Sequence, residues 1–135
     1  MPTIETIYLG GLRTEATHLR SGNKLLTDAP PDNQGRGEYF SPTDLVATSL
    51  GSCMVTIMGI ASRTHDFNID GTKIAITKIM TKDPPRKIDE IVIDLDFPHD
   101  YPDKVKRIIE HSVKNCPVAL SLHPDIKQTV TIRYH

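Results

Sequence analysis

Between Ser41 and about Arg63 runs one long segment that would be apolar on nearly every side of a helix, through Leu45, Val46, Ala47, Leu50, Met54, Val55, Ile57, Met58 and Ile60. Its start is marked by Ser41-Pro42-Thr43-Asp44. The serine can cap, the proline suits the first helical position, and the aspartate stands where a capping-box acid reaches back to the cap. A helix without a polar face is normally buried, so this one is expected to be the central element of the fold. Gly51-Ser52 and Gly59 would each let another backbone approach closely, a packing reason that offsets their cost to the helix. The most apolar part, Met54 to Ala61, is interrupted by Thr56 and Gly59 and is far short of a membrane span.

A chain of 135 residues has the size of a single domain with one core, spanning 1–135. Aromatic residues make up only 5% and tryptophan is absent, so the core must be built largely from Ile, Leu, Val, Ala and Met. A core shared between two chains would relieve that shortage. Lys and Arg number 16 against 17 Asp and Glu, both signs scattered, so there is no strong field to recruit nucleic acid or an anionic membrane. The segment Met1 to Ile7 lacks a basic stretch followed by an apolar one, and the expected location is cytoplasmic. Two cysteines are too few for a secreted disulfide framework or a Cys-only zinc site. They are either inert core residues or reactive thiols.

Ahead of the helix, residues 4–19 read as strands broken by Gly10-Gly11, and Ser21-Gly22-Asn23 offers a turn before a strand at 24–29. Residues 30–41 are dense in Pro, Gly and Asn, which marks a surface loop. Beyond Asp70-Gly71, residues 72–82 and 88–97 predict a hairpin around Asp83-Pro84-Pro85, with Ile91, Ile93, Leu95 and Phe97 on one face. Pro102 opens a helix with Val105, Ile108, Ile109 and Val113 along one stripe, ending near Cys116-Pro117, where a short helix can restart. Residues 126–134 alternate as a closing strand.

Cys53, in the middle of the long helix, taken alone reads as a small apolar core residue. Cys116 can cap the short helix at Pro117, and a helix N-terminus lowers a thiol's pKa and raises its thiolate fraction. The two thiols are 63 positions apart, so only folding brings them within disulfide range. The six histidines, His18, His65, His99, His111, His123 and His135, have no close metal-ligand spacing, and neither a metal nor another cofactor is expected. Tyr39-Phe40 can act as a hydrophobic staple for the helix, line a substrate mouth, or do both.

The segments SPTDLVATSLGSC (41–53) and NCPVALSL (115–122) resemble the two signatures of the OsmC/Ohr superfamily, and the order of elements is similar over nearly the whole chain. The resemblance implies an α+β OsmC-like fold, with antiparallel sheets packed around a long buried central helix in an intertwined homodimer, and active sites at the subunit interface. It also implies thiol-dependent reduction of organic hydroperoxides. Cys53 would attack the peroxide as thiolate and become a sulfenic acid, Cys116 would condense with it to a disulfide, and an external dithiol would restore both.

A thiolate on an apolar helix needs a cation beside it. Arg13 stands roughly where the family's peroxidase branch places its arginine after a pair of glycines, here Gly10-Gly11 with Leu12 intervening, and Arg36 in the loop competes with it. That branch also has a glutamate ten positions before its first cysteine, where this chain has Thr43. Asp44 is adjacent, yet one step along a helix turns a side chain by roughly 100°. Thr43 is nearly three turns from Cys53, roughly 15 Å along the axis, so it would meet a Cys53 site only across chains. Substrate contacts are accordingly expected from Thr43, Asp44, Arg36 and Phe40. The departure at Thr43 favours an alternative, a non-peroxidase module of the same fold that binds a small apolar or thiol-bearing ligand at the dimer interface. In a third reading both cysteines are core filler, and the rate of thiol labelling separates it from the first.

Overall fold

The structure, a computed structural model, describes all of residues 1–135. The chain is α+β and forms two compact units, Met1–Val46 and Ala47–His135. A 24-residue helix, α1 (Pro42–His65), begins in the first and continues through the second.

The first unit is a three-stranded antiparallel sheet in the order β1 (Ile4–Gly10), β2 (Arg13–His18), β3 (Lys24–Asp28). The β1–β2 turn holds Gly10, Gly11 and Leu12 at φ of 85°, 61° and 62°, a left-handed run that two glycines make accessible. Beyond β3 the Pro- and Gly-rich loop folds back on itself. The Gly35 amide donates to the Pro30 carbonyl and the Gly37 amide to that of Ala29, while Thr27 forms an isolated parallel bridge with Phe40. Every fully buried residue of this unit is polar: Thr27, Asp28 and Ser41. Many of its large apolar side chains, among them Ile4, Ile7, Tyr8 and Leu9 of β1, lie exposed in the single chain.

The expected capping box closes the start of α1. The Ser41 amide donates to Asp44 Oδ2 at 2.9 Å, and the Asp44 amide donates to Ser41 Oγ at 3.1 Å. With 24 residues and an 18-residue stretch of mean hydropathy 1.7, α1 has by length and composition alone what a membrane span needs, so its apolar run is longer than Met54 to Ala61 suggests.

In the second unit the order is β4 (Lys73–Met80), β5 (Ile88–Asp96), β6 (Lys127–Arg133). β4 and β5 are the expected antiparallel hairpin. β6 instead runs parallel to β5, because α2 (Asp103–Lys114) and α3 (Pro117–Ser121) carry the chain back to the end where β5 began. Ile91, Ile93, Leu95 and Phe97 are all buried, as the alternation predicts. Against them α1 buries one stripe, Ala47, Leu50, Gly51, Met54 and Met58, spaced as a helix face. Full burial of each large side chain there contributes about 1.5–3 kcal/mol. The rest of the apolar helix stays half-buried at Val55 and Ile57 and open at Ile60, 60% exposed. At Gly51 it is the side chains of Ile74 and Ile76, not another backbone, that approach, and at Gly59 nothing in the chain comes within 4 Å of an added Cβ. Phe67, Phe97, Tyr101 and Tyr134 gather in one aromatic cluster, and the Tyr101 hydroxyl donates to the Asn68 carbonyl at 2.7 Å, pinning the turn after α1.

Candidate active site

Cys53 belongs to α1 but not to its buried stripe, and it is half-buried. Cys116 ends the connection from α2. The following proline disfavours helix at residue 116, which adopts φ −73° and ψ 139° and becomes the N-cap of α3. Its Sγ accepts the Ala119 amide at 3.2 Å, as the sequence suggests. Both thiols are free, and the two cysteines lie 3.8 Å apart. A sulfur–sulfur bond is about 2.05 Å long, so only a short approach separates this pair from disulfide geometry once an oxidant removes two electrons and two protons.

The expected lowering of the Cys116 pKa does not occur. The side chain is fully buried, and desolvation of the thiolate pushes its pKa up, against the opposing pull of the Ala119 amide. The neighbouring Cys53 acts in the same upward direction. Burial outweighs the helix terminus because the amides of Ala119 and Val118 replace only part of the lost hydration. Cys116 is therefore a protonated thiol at neutral pH, suited to follow rather than to start a reaction.

The remaining predicted residues belong to the first unit. Arg13, opening β2, binds Asp28 at the end of β3 through two parallel bonds, Nε to Oδ1 at 2.7 Å and Nη2 to Oδ2 at 2.8 Å. Its Nη2 also donates to Glu38 Oε1 at 2.7 Å, and the Tyr39 ring lies 4.7 Å from the guanidinium carbon. Asp28 is buried and also accepts the Glu38 amide at 3.1 Å. The hydrogen bonds of Arg13, followed by that of the Glu38 amide and the charges of Arg13 and Arg36, hold the Asp28 carboxyl below its usual range, and the same carboxylates raise the Arg13 pKa. Arg36 sits at the rim, half-exposed, with Nε 3.9 Å from Glu38. Thr43 and Asp44 work in the helix cap, the Thr43 hydroxyl 3.2 Å from that of Ser41. Phe40 is 54% exposed and its carbonyl accepts the Asp28 amide.

Asp28, Glu38 and the stacking of the Tyr39 ring on Arg13 were not anticipated. The signal for Asp28 was present: a β2–β3 hairpin centred between Arg20 and Ser21 puts Arg13 directly opposite Asp28, the observed register. No group of three or more His, Cys, Asp and Glu side chains is placed to hold a metal ion.

The fold thus sets two free thiols beside each other, one on a long helix and one at the cap of a short one. The family model described as OsmC-like protein matches residues 35–131, and the chain belongs to this OsmC-like family. A Psychrobacter arcticus protein named for osmotic stress induction and a detoxification response shares 50% identity over 98% of this chain and 96% of its own, with a TM-score of 0.94. The same fold recurs at low identity in two organic hydroperoxide resistance proteins. The one from Elizabethkingia anophelis, crystallised with thiocyanate, has 14% identity, a TM-score of 0.77 and coverage of 100% and 98% of the two chains. The one from Legionella pneumophila has 11% identity, a TM-score of 0.76 and coverage of 98% and 97%. No curated protein matches the chain by sequence.

Proposed function

We propose that this protein is a thiol peroxidase that reduces organic hydroperoxides and works in the cytoplasm as a homodimer. The observation that carries the reading is the pair of free thiols 3.8 Å apart, one half-exposed and one buried, in a chain of the OsmC-like family. Cys53, as thiolate, attacks the outer peroxide oxygen. The O–O bond breaks, the alkoxide leaves and takes up a proton to give the alcohol, and Cys53 becomes a sulfenic acid. The Cys116 thiol then attacks that sulfur. A disulfide forms, the hydroxyl leaves as water with the thiol's proton, and an external dithiol returns both cysteines to the reduced state.

Arg13 is the cation we assign to the Cys53 thiolate, with Asp28 as its anchor and the exposed Glu38 as its exchangeable partner. These carboxylates take over the part that the missing glutamate at position 43 would play, so Thr43 does not remove the chemistry. Arg36 and Phe40, exposed around this cluster, and the capping residues Thr43 and Asp44 are assigned to the substrate side. The homodimer is supported by apolar surface that the single chain leaves open on β1 and on α1.

The test follows the reduced protein by intact mass after addition of cumene hydroperoxide or hydrogen peroxide, with Cys53→Ser as control. Fast stoichiometric loss of two hydrogens, faster with the organic peroxide and abolished in the control, is expected. A wild-type protein that stays reduced for many minutes sinks the peroxidase reading in favour of the ligand-binding one.

A further inference from the structure

The alternation of β6 puts positions 128, 130 and 132 on one face of the strand, and two of them carry the apolar Val130 and Ile132. The third is Gln128. It stands opposite Ile91, a fully buried residue of β5, so its side chain belongs to the helix-bearing face of the sheet. An amide on that face needs a partner, and Gln128 Nε2 donates to the Ala119 carbonyl of α3 at 3.0 Å.

Within the chain α3 has little else to hold it. Five residues are too few for a helix that is stable by itself, none of its side chains is fully buried, and Leu120 is 69% exposed. The last carbonyls of so short a helix lack intrahelical partners, and Gln128 satisfies the one at Ala119. No other hydrogen bond reaches α3 from another strand or helix. On the other side of the same residue, the Ala119 amide donates to Cys116 Sγ at 3.2 Å. A continuous chain of contacts thus runs from β6 through Gln128 and Ala119 to the buried cysteine that lies 3.8 Å from Cys53.

We infer that Gln128 is a positioning residue for Cys116: by tethering α3 to β6 it keeps that thiol within reach of Cys53 for the step that closes the disulfide. This deepens the peroxidase reading and rests on it for the identity of the oxidant. In the closing step the Cys116 thiol attacks the sulfur of the Cys53 sulfenic acid, the S–S bond forms and water leaves. A second hydroperoxide competes for the same sulfenic acid, adding one oxygen to give the sulfinic acid and releasing an alcohol. Such an attack is steep in geometry, a misplacement of about 1 Å costing about a hundredfold in rate. Loss of the tether therefore slows closure and leaves Cys53 open to over-oxidation. The first attack on Cys53 does not involve α3 and keeps its rate.

Closure is isolated by adding dithiodipyridine to the full-length reduced protein. One thiopyridone leaves as Cys53 forms the mixed disulfide and a second leaves when Cys116 displaces it, so stopped-flow absorbance reads the two steps separately and without peroxide. Gln128→Met, close in size but without a donor, should keep the first rate within about twofold and slow the second about tenfold or more. Val130→Ala, which loosens the same face of β6 without touching the tether, should leave the second rate within about twofold of wild type. Gln128→Glu, whose carboxylate accepts but does not donate, carries the same expectation and serves if the methionine variant does not fold. With excess cumene hydroperoxide, the Gln128 variant should accumulate Cys53 sulfinic acid where wild type stops at the disulfide. An unchanged second rate in the Gln128 variant overturns the inference, as does equal slowing in Val130→Ala. If the thiopyridone rates respond as expected while wild type is inert toward peroxide, the positioning role stands and the peroxidase reading alone fails.

Discussion

The two glycines within α1 differ in what surrounds them, and alanine at each position measures that difference. A Cβ on Gly51 would lie 2.7 Å from Ile76 Cδ1 and 3.1 Å from Ile74 Cγ2, whereas one on Gly59 meets nothing within 4 Å. Both substitutions gain the same intrinsic helix preference, about 0.8–1 kcal/mol. At Gly59 that gain is the whole effect. At Gly51 two isoleucines of β4 must shift, and overpacking of this kind costs about 1–3 kcal/mol. Since the helix preference cancels, the gap between the two variants is about 1–3 kcal/mol of packing. Each kcal/mol is worth about 3–5 °C in melting temperature for a chain of this size. Urea unfolding read by far-UV circular dichroism should give Gly59→Ala the highest midpoint and Gly51→Ala the lowest of the two variants, with a common slope. A Gly59→Ala protein less stable than wild type would refute the reasoning: something from outside the chain would then be packed on that face.

Replacing the cap residue Ser41 by alanine removes the bond to the Asp44 amide and should cost about 1 kcal/mol, read by the same urea midpoint. With iodoacetamide at pH 7, Cys53 should be alkylated at least tenfold faster than Cys116, which is buried and held protonated; equal rates by peptide mass mapping would contradict the thiol assignment. Asp28→Asn should destabilise the protein at neutral pH and change the pH dependence of unfolding. Because Arg13 holds the folded Asp28 pKa below the usual value of 3.8, its contribution is full above that value and lost as pH falls through the lowered one. Wild type and variant should therefore converge in stability as the pH falls well below the ordinary carboxylate range, and a gap that stays constant throughout the acid limb would mean the carboxylate's charge is not what matters.

What was legible in the sequence is what short segments decide. The Ser41–Asp44 box, the Cys116 cap before Pro117 and the alternation along β5 each depend on residues a few positions apart, and each is found as read. Strand direction is not local. The alternation of residues 126–134 is equally compatible with parallel and antiparallel pairing, and only the crossover through α2 and α3 makes β6 parallel. The charge state of Cys116 follows the same division. Its neighbours along the chain predict a lowered pKa, but the surroundings that bury it come from distant segments and reverse the sign.

The arginine cluster carries that division into the site. A motif comparison searches for a glutamate at a fixed distance from Cys53, finds Thr43 there, and reads a loss. The requirement on a guanidinium beside a thiolate is different: that it be held in place by carboxylates, whatever their position in the chain. Here register supplies one, since the β2–β3 hairpin sets Asp28 opposite Arg13, and the folded loop supplies another by returning Glu38 to the same nitrogen that Asp28 already binds. The two differ in burial, Asp28 at 1% exposure and Glu38 at 58%, so the first is a fixed anchor for the arginine and the second is open to solvent. In the proposed peroxidase a carboxylate on a strand and one on a loop would perform a task that the motif places on a helix, so a departure at a single motif position is weak grounds for excluding the chemistry.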